Sequence, residues 1–246
     1  MKLGITAIVK NEAPYIKEWL LFHFMQGVTE FFIYNNGSTD DTIKKTIEYP
    51  INELKITVID WPGRCRQLEA YDHSIRINRK SVDWMAFVDI DEFLYSTEYP
   101  KVTKHLEIIT ASDSYNASCV RVPWRIFGSS GHKEYSSELV IERFTHRAIN
   151  LDPHFKSIIR MKKAVSTWKD IHTFKVKGTT LNRPPGIFIN HYHTKSEQEY
   201  RARCARGRAD VKEYRNPDID FPAHDINEVK DTYLKDKFAE KIKGIL

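Results

Sequence analysis

The sequence predicts an α/β protein organised around a mostly parallel, doubly wound sheet. Three observations predict it. Short β-branched or aromatic runs alternate with segments of helical spacing through the N-terminal part, the pattern of parallel strands joined by crossover helices. Trp84-Met85-Ala86-Phe87-Val88 is a continuous apolar run without helical spacing, as in a strand buried on both faces. A chain of 246 residues, 41% hydrophobic and 12% aromatic, also suffices for a sizeable core.

Taken in order, Leu3 to Val9 is short, β-branched and bounded by polar residues, and reads as the first strand. Pro14 suits a first helical turn, where its missing N–H costs nothing, and Ile16, Trp19, Leu20, His23 and Phe24 recur behind it at helical spacing. Phe31 to Tyr34 is the second strand. Asn36-Gly37 then supplies a turn, and Ser38 with Asp41 resembles a capping box opening a second helix. Lys55 to Asp60 makes the third strand, Gln67 to Arg79 the third helix and Val82 to Val88 the fourth strand. Further on, Lys104 to Thr110 reads as a short helix, and Ser118 to Trp124 and Leu139 to Phe144 as strands flanking a glycine-bearing loop, Phe127 to His132. Lys156 to His193 holds short strands and turns punctuated by Arg183-Pro184-Pro185-Gly186, and a helical tail from Ser196 is broken near Pro217 and Pro222.

Composition narrows the function classes. Cys65, Cys119 and Cys204 are odd in number, far apart and without Cys-x-x-Cys spacing, which argues against a disulfide framework or a thiolate zinc site and fits a reducing compartment. No apolar segment is long enough for a signal peptide or a membrane span, so the expected location is cytoplasmic. A net charge of +5, from 38 basic against 33 acidic residues, favours anionic partners but is no nucleic-acid signature. The last helix carries Tyr233, Leu234, Phe238, Ile242 and Ile245 on one face and Lys235, Lys237, Lys241 and Lys243 on others. Two readings compete for it: peripheral contact with the inner face of a membrane, or packing on its own domain.

The chemistry concentrates after the buried run. Asp89, Asp91 and Glu92 stand at the exit of the fourth strand, where open α/β sheets bind ligands, and acidic groups beside a core call for a bound positive charge. A hard divalent ion, Mn²⁺ or Mg²⁺, takes one or two such carboxylates together with waters and substrate phosphates.

Several stretches together resemble the GT-A fold nucleotide-sugar glycosyltransferases, in the family-2-like branch with an Asp-x-Asp-Glu-Phe motif similar to family 92. They are Val9-Lys10-Asn11-Glu12, Asn35-Asn36-Gly37-Ser38-Thr39-Asp40, Trp84 through Phe93, and the C-terminal Asn190-His191-Tyr192-His193-Thr194-Lys195-Ser196 with Arg206-Gly207. The resemblance spans roughly residues 3 to 207 and departs at Asn35 and Asn36, which stand where the superfamily carries aspartates. An amide there still pairs with a nucleobase edge.

The resemblance implies a GT-A three-layer sandwich with a Rossmann-like sheet. Residues 1–207 would be its catalytic domain, with 1–95 the nucleotide-binding half and 96–207 the acceptor half, and 208–246 would be a helical, partly basic tail. Ala7, Lys10, Asn11 and Glu12 with Asn36, Ser38 and Asp40 are expected to line the nucleotide crevice. Arg66, Gln67 and Lys195 are expected near the diphosphate. Asp91 is the expected direct metal ligand, Asp89 holds the ribose or the ion through water, and His191 completes the shell in preference to His193, which shares its strand face. An inverting reaction needs a positioned base. Asp170 and His172 lie in the corresponding region, with Glu138 and Glu142 as rivals, while Trp124, Trp168 and the Phe127 to His132 loop offer a sugar platform.

The expected function is therefore metal-dependent, inverting transfer of a sugar from a nucleotide-sugar, UDP-linked above others, to a glycan or lipid-linked acceptor. The alternatives are a sugar-phosphate nucleotidyltransferase and an inactive carbohydrate-binding relative.

Overall fold

A computed structural model describes residues 1–48, 51, 53–111, 117–167, 170–207 and 215–246. Strand β1 (Leu3–Val9), helix α1 (Ile16–Met25), β2 (Glu30–Asn35), α2 (Thr42–Ile47), β3 (Lys55–Asp60), α3 (Gln67–Ile77) and β4 (Trp84–Phe87) alternate as the sequence predicts. Then come β5 (Glu92–Ser96), α4 (Val102–Ala111), β6 (Ala117–Ile126), α5 (Val140–Arg143), β7 (His146–Arg147), β8 (Phe155–Arg160), β9 (Ala164–Thr167), β10 (Phe174–Val176), β11 (Thr179–Asn182) and β12 (Ile187–His191). The chain closes with α6 (Glu197–Arg206), α7 (Pro217–His224), β13 (Val229–Lys230) and α8 (Tyr233–Lys243).

The main sheet runs β3-β2-β1-β4-β8-β6-β12-β5, with β11 beside β6. Strand alternation splits the core into two layers. Ile5, Ala7, Phe31, Ile33, Trp84 and Ala86 face a cluster completed by α1, α4 and α8, whereas Ile8, Phe32, Tyr34, Met85 and Phe87 face Ala70, Tyr71 and Ile75 of α3. The result is the helix–sheet–helix sandwich with a mostly parallel sheet that the resemblance implies.

Sheet direction assembles the site. β1, β2 and β4 are mutually parallel, β8 is antiparallel to β4 and to β6, β12 is parallel to β6, and β5 is antiparallel to β12. The carboxyl ends of β1, β2, β4, β6 and β12 therefore meet the amino ends of β5 and β8 along one edge.

Three local expectations are corrected. Leu139 to Phe144 is not a strand: the buried Glu18 carboxylate on α1 accepts the N–H groups of Val140 (2.8 Å) and Ile141 (3.1 Å), giving the helical turn α5 its missing partners. Glu92–Ser96, to which the sequence reading assigns no element, is a fully buried strand, with Glu92 3.5 Å from the buried Lys156. No capping box forms between Ser38 and Asp41, since Ser38 Oγ accepts the Asn11 N–H (3.2 Å) and Asp40 accepts that of Thr42 (3.0 Å). Pro222 lies inside α7, which Asn216 caps. No helix among the described residues is long and apolar enough to cross a membrane.

The apolar face of α8 is spent within the protein. Leu234, Ala239 and Ile242 are buried in the main core and Phe238 packs edge-on against Phe22 (5.2 Å). α8 therefore belongs to the same core as residues before 207, while Ile245 beyond its end stays exposed.

Candidate active site

At the sheet edge lies a cavity of about 760 Å³, of the size typical for small-molecule sites. Of the residues expected at the site, Lys10, Glu12, Asn36, Gln67, Asp89, Asp91, His172 and His191 line it. Other expected residues stand outside its wall. Ala7 is fully buried in the core. Asn11, at φ +53, accepts the Thr39 N–H through its side chain (2.8 Å), and with Ser38 and Asp40 it braces one loop against the other. Arg66 is tied to Glu69 (2.7 Å) and lies over the Trp61 ring.

Asp91 is the pivot. Its Oδ2 lies 3.0 Å from Arg203 and 3.5 Å from His191 Nε2. Burial alone would raise the Asp91 carboxyl, but the Arg203 guanidinium and the His191 imidazole hold it well below the usual carboxylate range. Burial, against the pull of Asp91, lowers the His191 pKa. The pair thus offers an ionised carboxylate and a neutral imidazole, both competent donors to a hard or borderline cation. His193, buried and held well below its ordinary range by burial and by Arg203, lies between Arg203 and Arg215.

Asp89 serves a different purpose. It accepts from Lys156 (2.7 Å), Gln67 (3.0 Å) and the Tyr71 hydroxyl (3.3 Å). Lys156 is itself buried at the start of β8; desolvation would discharge it, and the carboxylates of Asp89 and Glu92 reverse that, raising its pKa. Burial, against the pull of Lys156, raises the Glu92 carboxyl well above its ordinary range. Both Asp89 oxygens are engaged, as is Asp91 Oδ2, whereas His191 Nδ1 has no hydrogen-bond partner. Among the described residues no three His, Cys, Asp or Glu side chains converge as a ready-made cage.

Cations come from α6. The Ser196 hydroxyl and the Glu199 carboxylate form the capping box that opens it. The helix then presents Arg203 to Asp91 and Arg206 to Glu12 (2.7 Å), and Arg206 also donates to the carbonyls of Lys10 (2.6 Å) and Asn11 (2.9 Å). Lys195, at φ +51, rests its ammonium on the Tyr15 ring (4.3 Å), and burial lowers its pKa against the pull of Asp91 and Glu12.

The expected base and platform residues divide. Asp170 is exposed, off the cavity wall, and accepts the N–H groups of His172 and Thr173 (both 2.8 Å). Glu138 is exposed and Glu142 binds Lys243 (2.8 Å), both away from the cavity. Trp124 lines the cavity with His154, His172 and His191 packed around its ring, while Trp168 lies outside the described residues. The sequence reading missed Lys156, Asp152, His154 and Arg203. The spacing of Arg203 and Arg206, three apart on one helix, was the available signal for that face.

The chain is similar to several known proteins. A glycosyltransferase family 92 protein of Arabidopsis thaliana is 27% identical over 278 residues, covering 100% of this chain and 48% of the relative. One from Ricinus communis is 30% identical over 196 residues, covering 78% and 35%. The chain therefore spans about half or less of the length of these relatives. Among solved structures it is similar to Staphylococcus aureus TarS residues 1–349, with TM-score 0.48, 15% identity and coverage of 86% of this chain and 67% of that one. HddC from Yersinia pseudotuberculosis is similar with TM-score 0.48, 11% identity and coverage of 84% and 99%. The family description Glycosyltransferase family 92 matches residues 6–241, and the chain belongs to that family.

Proposed function

We propose that the chain is a metal-dependent, inverting glycosyltransferase that moves a sugar from a nucleotide-sugar, a UDP-sugar first among them, to a glycan or lipid-linked acceptor. Family membership supports the class of reaction. The observation that carries the reading is the Asp91–His191 pair at the wall of a cavity ringed by Lys10, Arg203 and Arg206. A carboxylate and an imidazole 3.5 Å apart suit adjacent corners of one coordination shell, and Mn²⁺ or Mg²⁺ held by Asp91 and His191 would supply positive charge to the departing diphosphate. Lys156 holds Asp89 where it can accept from a ribose hydroxyl. Arg203 and Arg206 add cationic donors that suit phosphate oxygens. A nucleotidyltransferase would call for a glycine-rich phosphate loop after β1, and residues 10–14 contain no glycine.

Asp91→Asn tests the reading. UDP release from a UDP-sugar should fall at least about 100-fold, because several kcal/mol of leaving-group stabilisation is lost. Mn²⁺ and UDP together should raise the melting temperature of the natural chain more than either alone, and that extra shift should vanish in the variant. Full turnover by Asp91→Asn, or UDP binding undiminished by a chelator, would overturn it.

A further inference from the structure

Two Asp-x-His turns converge on Trp124. Asp152 Oδ1 accepts the backbone N–H of His154 (2.8 Å) and lies 2.7 Å from His154 Nδ1. Arg183 pins that turn by donating to the carbonyls of Asp152 (2.9 Å) and Pro153 (2.8 Å). Asp170 holds the backbone of His172 in the same way, but not its ring. The His154 ring stacks on Trp124 at 5.5 Å, the His172 ring meets it edge-on at 5.3 Å, and His191 contacts the same indole at 4.4 Å. Trp124 therefore joins the Asp91–His191 end of the cavity to a second end built from imidazoles.

The two histidines differ in what they can do. The His172 ring is largely buried, its Nδ1 has no partner, and burial lowers its pKa to about 4, so it is a poor proton acceptor at neutral pH. The His154 side chain is 62% exposed, lines the cavity and is aligned by a carboxylate. Asp152, as an acceptor, fixes the tautomer with the proton on Nδ1 and leaves the Nε2 lone pair for a substrate. The groups facing His154 are Asp152 on its own loop, His172 at 5.9 Å, the Trp124 ring and the Arg183 guanidinium behind the turn.

We propose that His154 is the base that takes the proton of the acceptor hydroxyl, with Asp152 as the residue that positions it, an assignment that rests on the glycosyltransferase reading above. The acceptor O–H bond breaks and its proton passes to Nε2. The oxygen's electron pair forms the bond to the anomeric carbon, and the bond from that carbon to the diphosphate breaks, its pair leaving on the nucleoside diphosphate. The imidazolium, stabilised by Asp152, returns its proton to solvent through the exposed ring edge.

The test offers the full chain UDP-glucose, UDP-galactose and UDP-N-acetylglucosamine with a mixture of methyl glycosides, and follows UDP release and glycoside extension. His154→Ala should lose transfer by about 100-fold or more while UDP binding, measured by calorimetry, is unchanged. Sodium azide needs no proton removed, so it should restore UDP release in that variant and yield a glycosyl azide. Asp152→Asn should lower kcat without changing KM for the donor. Natural turnover in His154→Ala, loss of UDP binding without azide rescue, or azide rescue in His172→Ala instead, would each overturn the assignment alone. A natural chain that turns over none of the donors would overturn the glycosyltransferase reading and this assignment with it.

Discussion

Glu199 shows how single side chains hold the site in place. It receives both terminal nitrogens of Arg143 (2.7 and 3.0 Å), the Ser196 N–H (3.2 Å) and the Tyr15 hydroxyl (2.7 Å), the ring on which Lys195 rests. Burial would raise its pKa, and Arg143 and Ser196 overcome that to hold it at about 2, below the ordinary 4.5. The folded value is depressed, so in that window the unfolded chain binds more protons and stability rises with pH. The contribution is complete above pH 4.5 and lost as the pH falls towards 2. Its size is about 3 kcal/mol, at roughly 1.4 kcal/mol for each tenfold change in proton affinity between the folded and unfolded chain. Glu199→Gln should therefore flatten the acid side of the stability–pH curve and cost about 3 kcal/mol at neutral pH by leaving Arg143 buried and unpaired. Urea unfolding at stepped pH values reads both. An unchanged acid slope would count against the pair. Asp91 was legible because three acids crowd one strand exit. Lys156, one lysine in a β-branched run, was not, because its partners Asp89 and Glu92 stand 67 and 64 residues earlier and only the antiparallel pairing of β4 with β8 joins them.

Among the elements, α6 links stability to function. Its capping box holds the first turn, and the same helix carries Arg203 and Arg206 to the carboxylates at the ends of β4 and β1. Ser196→Ala should cost about 1 kcal/mol, the usual worth of such a cap, read as a lower melting temperature with the far-ultraviolet spectrum otherwise preserved. No loss would mean that Glu199 alone secures the turn. The sequence motif containing Lys195-Ser196 thus combines a structural cap with a residue facing the site. Strands β1 and β3 have the bounds that their apolar runs predict, because each run ends at polar loop residues. The misread strand has a distant cause. Leu139 to Phe144 has the composition of a strand, yet Glu18, 122 residues earlier, supplies the acceptor that makes it helical. Local composition carries no record of such a partner.

For the whole molecule, the question is whether the C-terminal residues are an attachment or part of the core. A helix with four lysines and an apolar stripe suits a membrane surface, but α8 turns Leu234, Phe238 and Ile242 onto α1 and the main sheet cluster, and Lys243 reaches Glu142 beside α5. Leu234 and Ile242 alone contribute roughly 3–6 kcal/mol, at about 1.5–3 kcal/mol for each apolar side chain fully buried, and the half-buried Phe238 adds to that. A domain of this kind has about 5–15 kcal/mol in total. Deleting residues 233–246 would also uncover Phe22, whose ring meets that of Phe93 at 5.0 Å beside the Asp89–Glu92 turn. The truncated chain should then lose its cooperative melt or melt roughly 10–20 °C lower, at about 2–4 °C per kcal/mol for a chain of this size. It should lose UDP binding with it. If α8 were a separable surface anchor, the same deletion would leave the melting temperature in place and remove only vesicle binding. Thermal unfolding of the two chains by circular dichroism, with and without UDP, separates these outcomes, and an unchanged melting temperature would sever α8 from the core that positions the site.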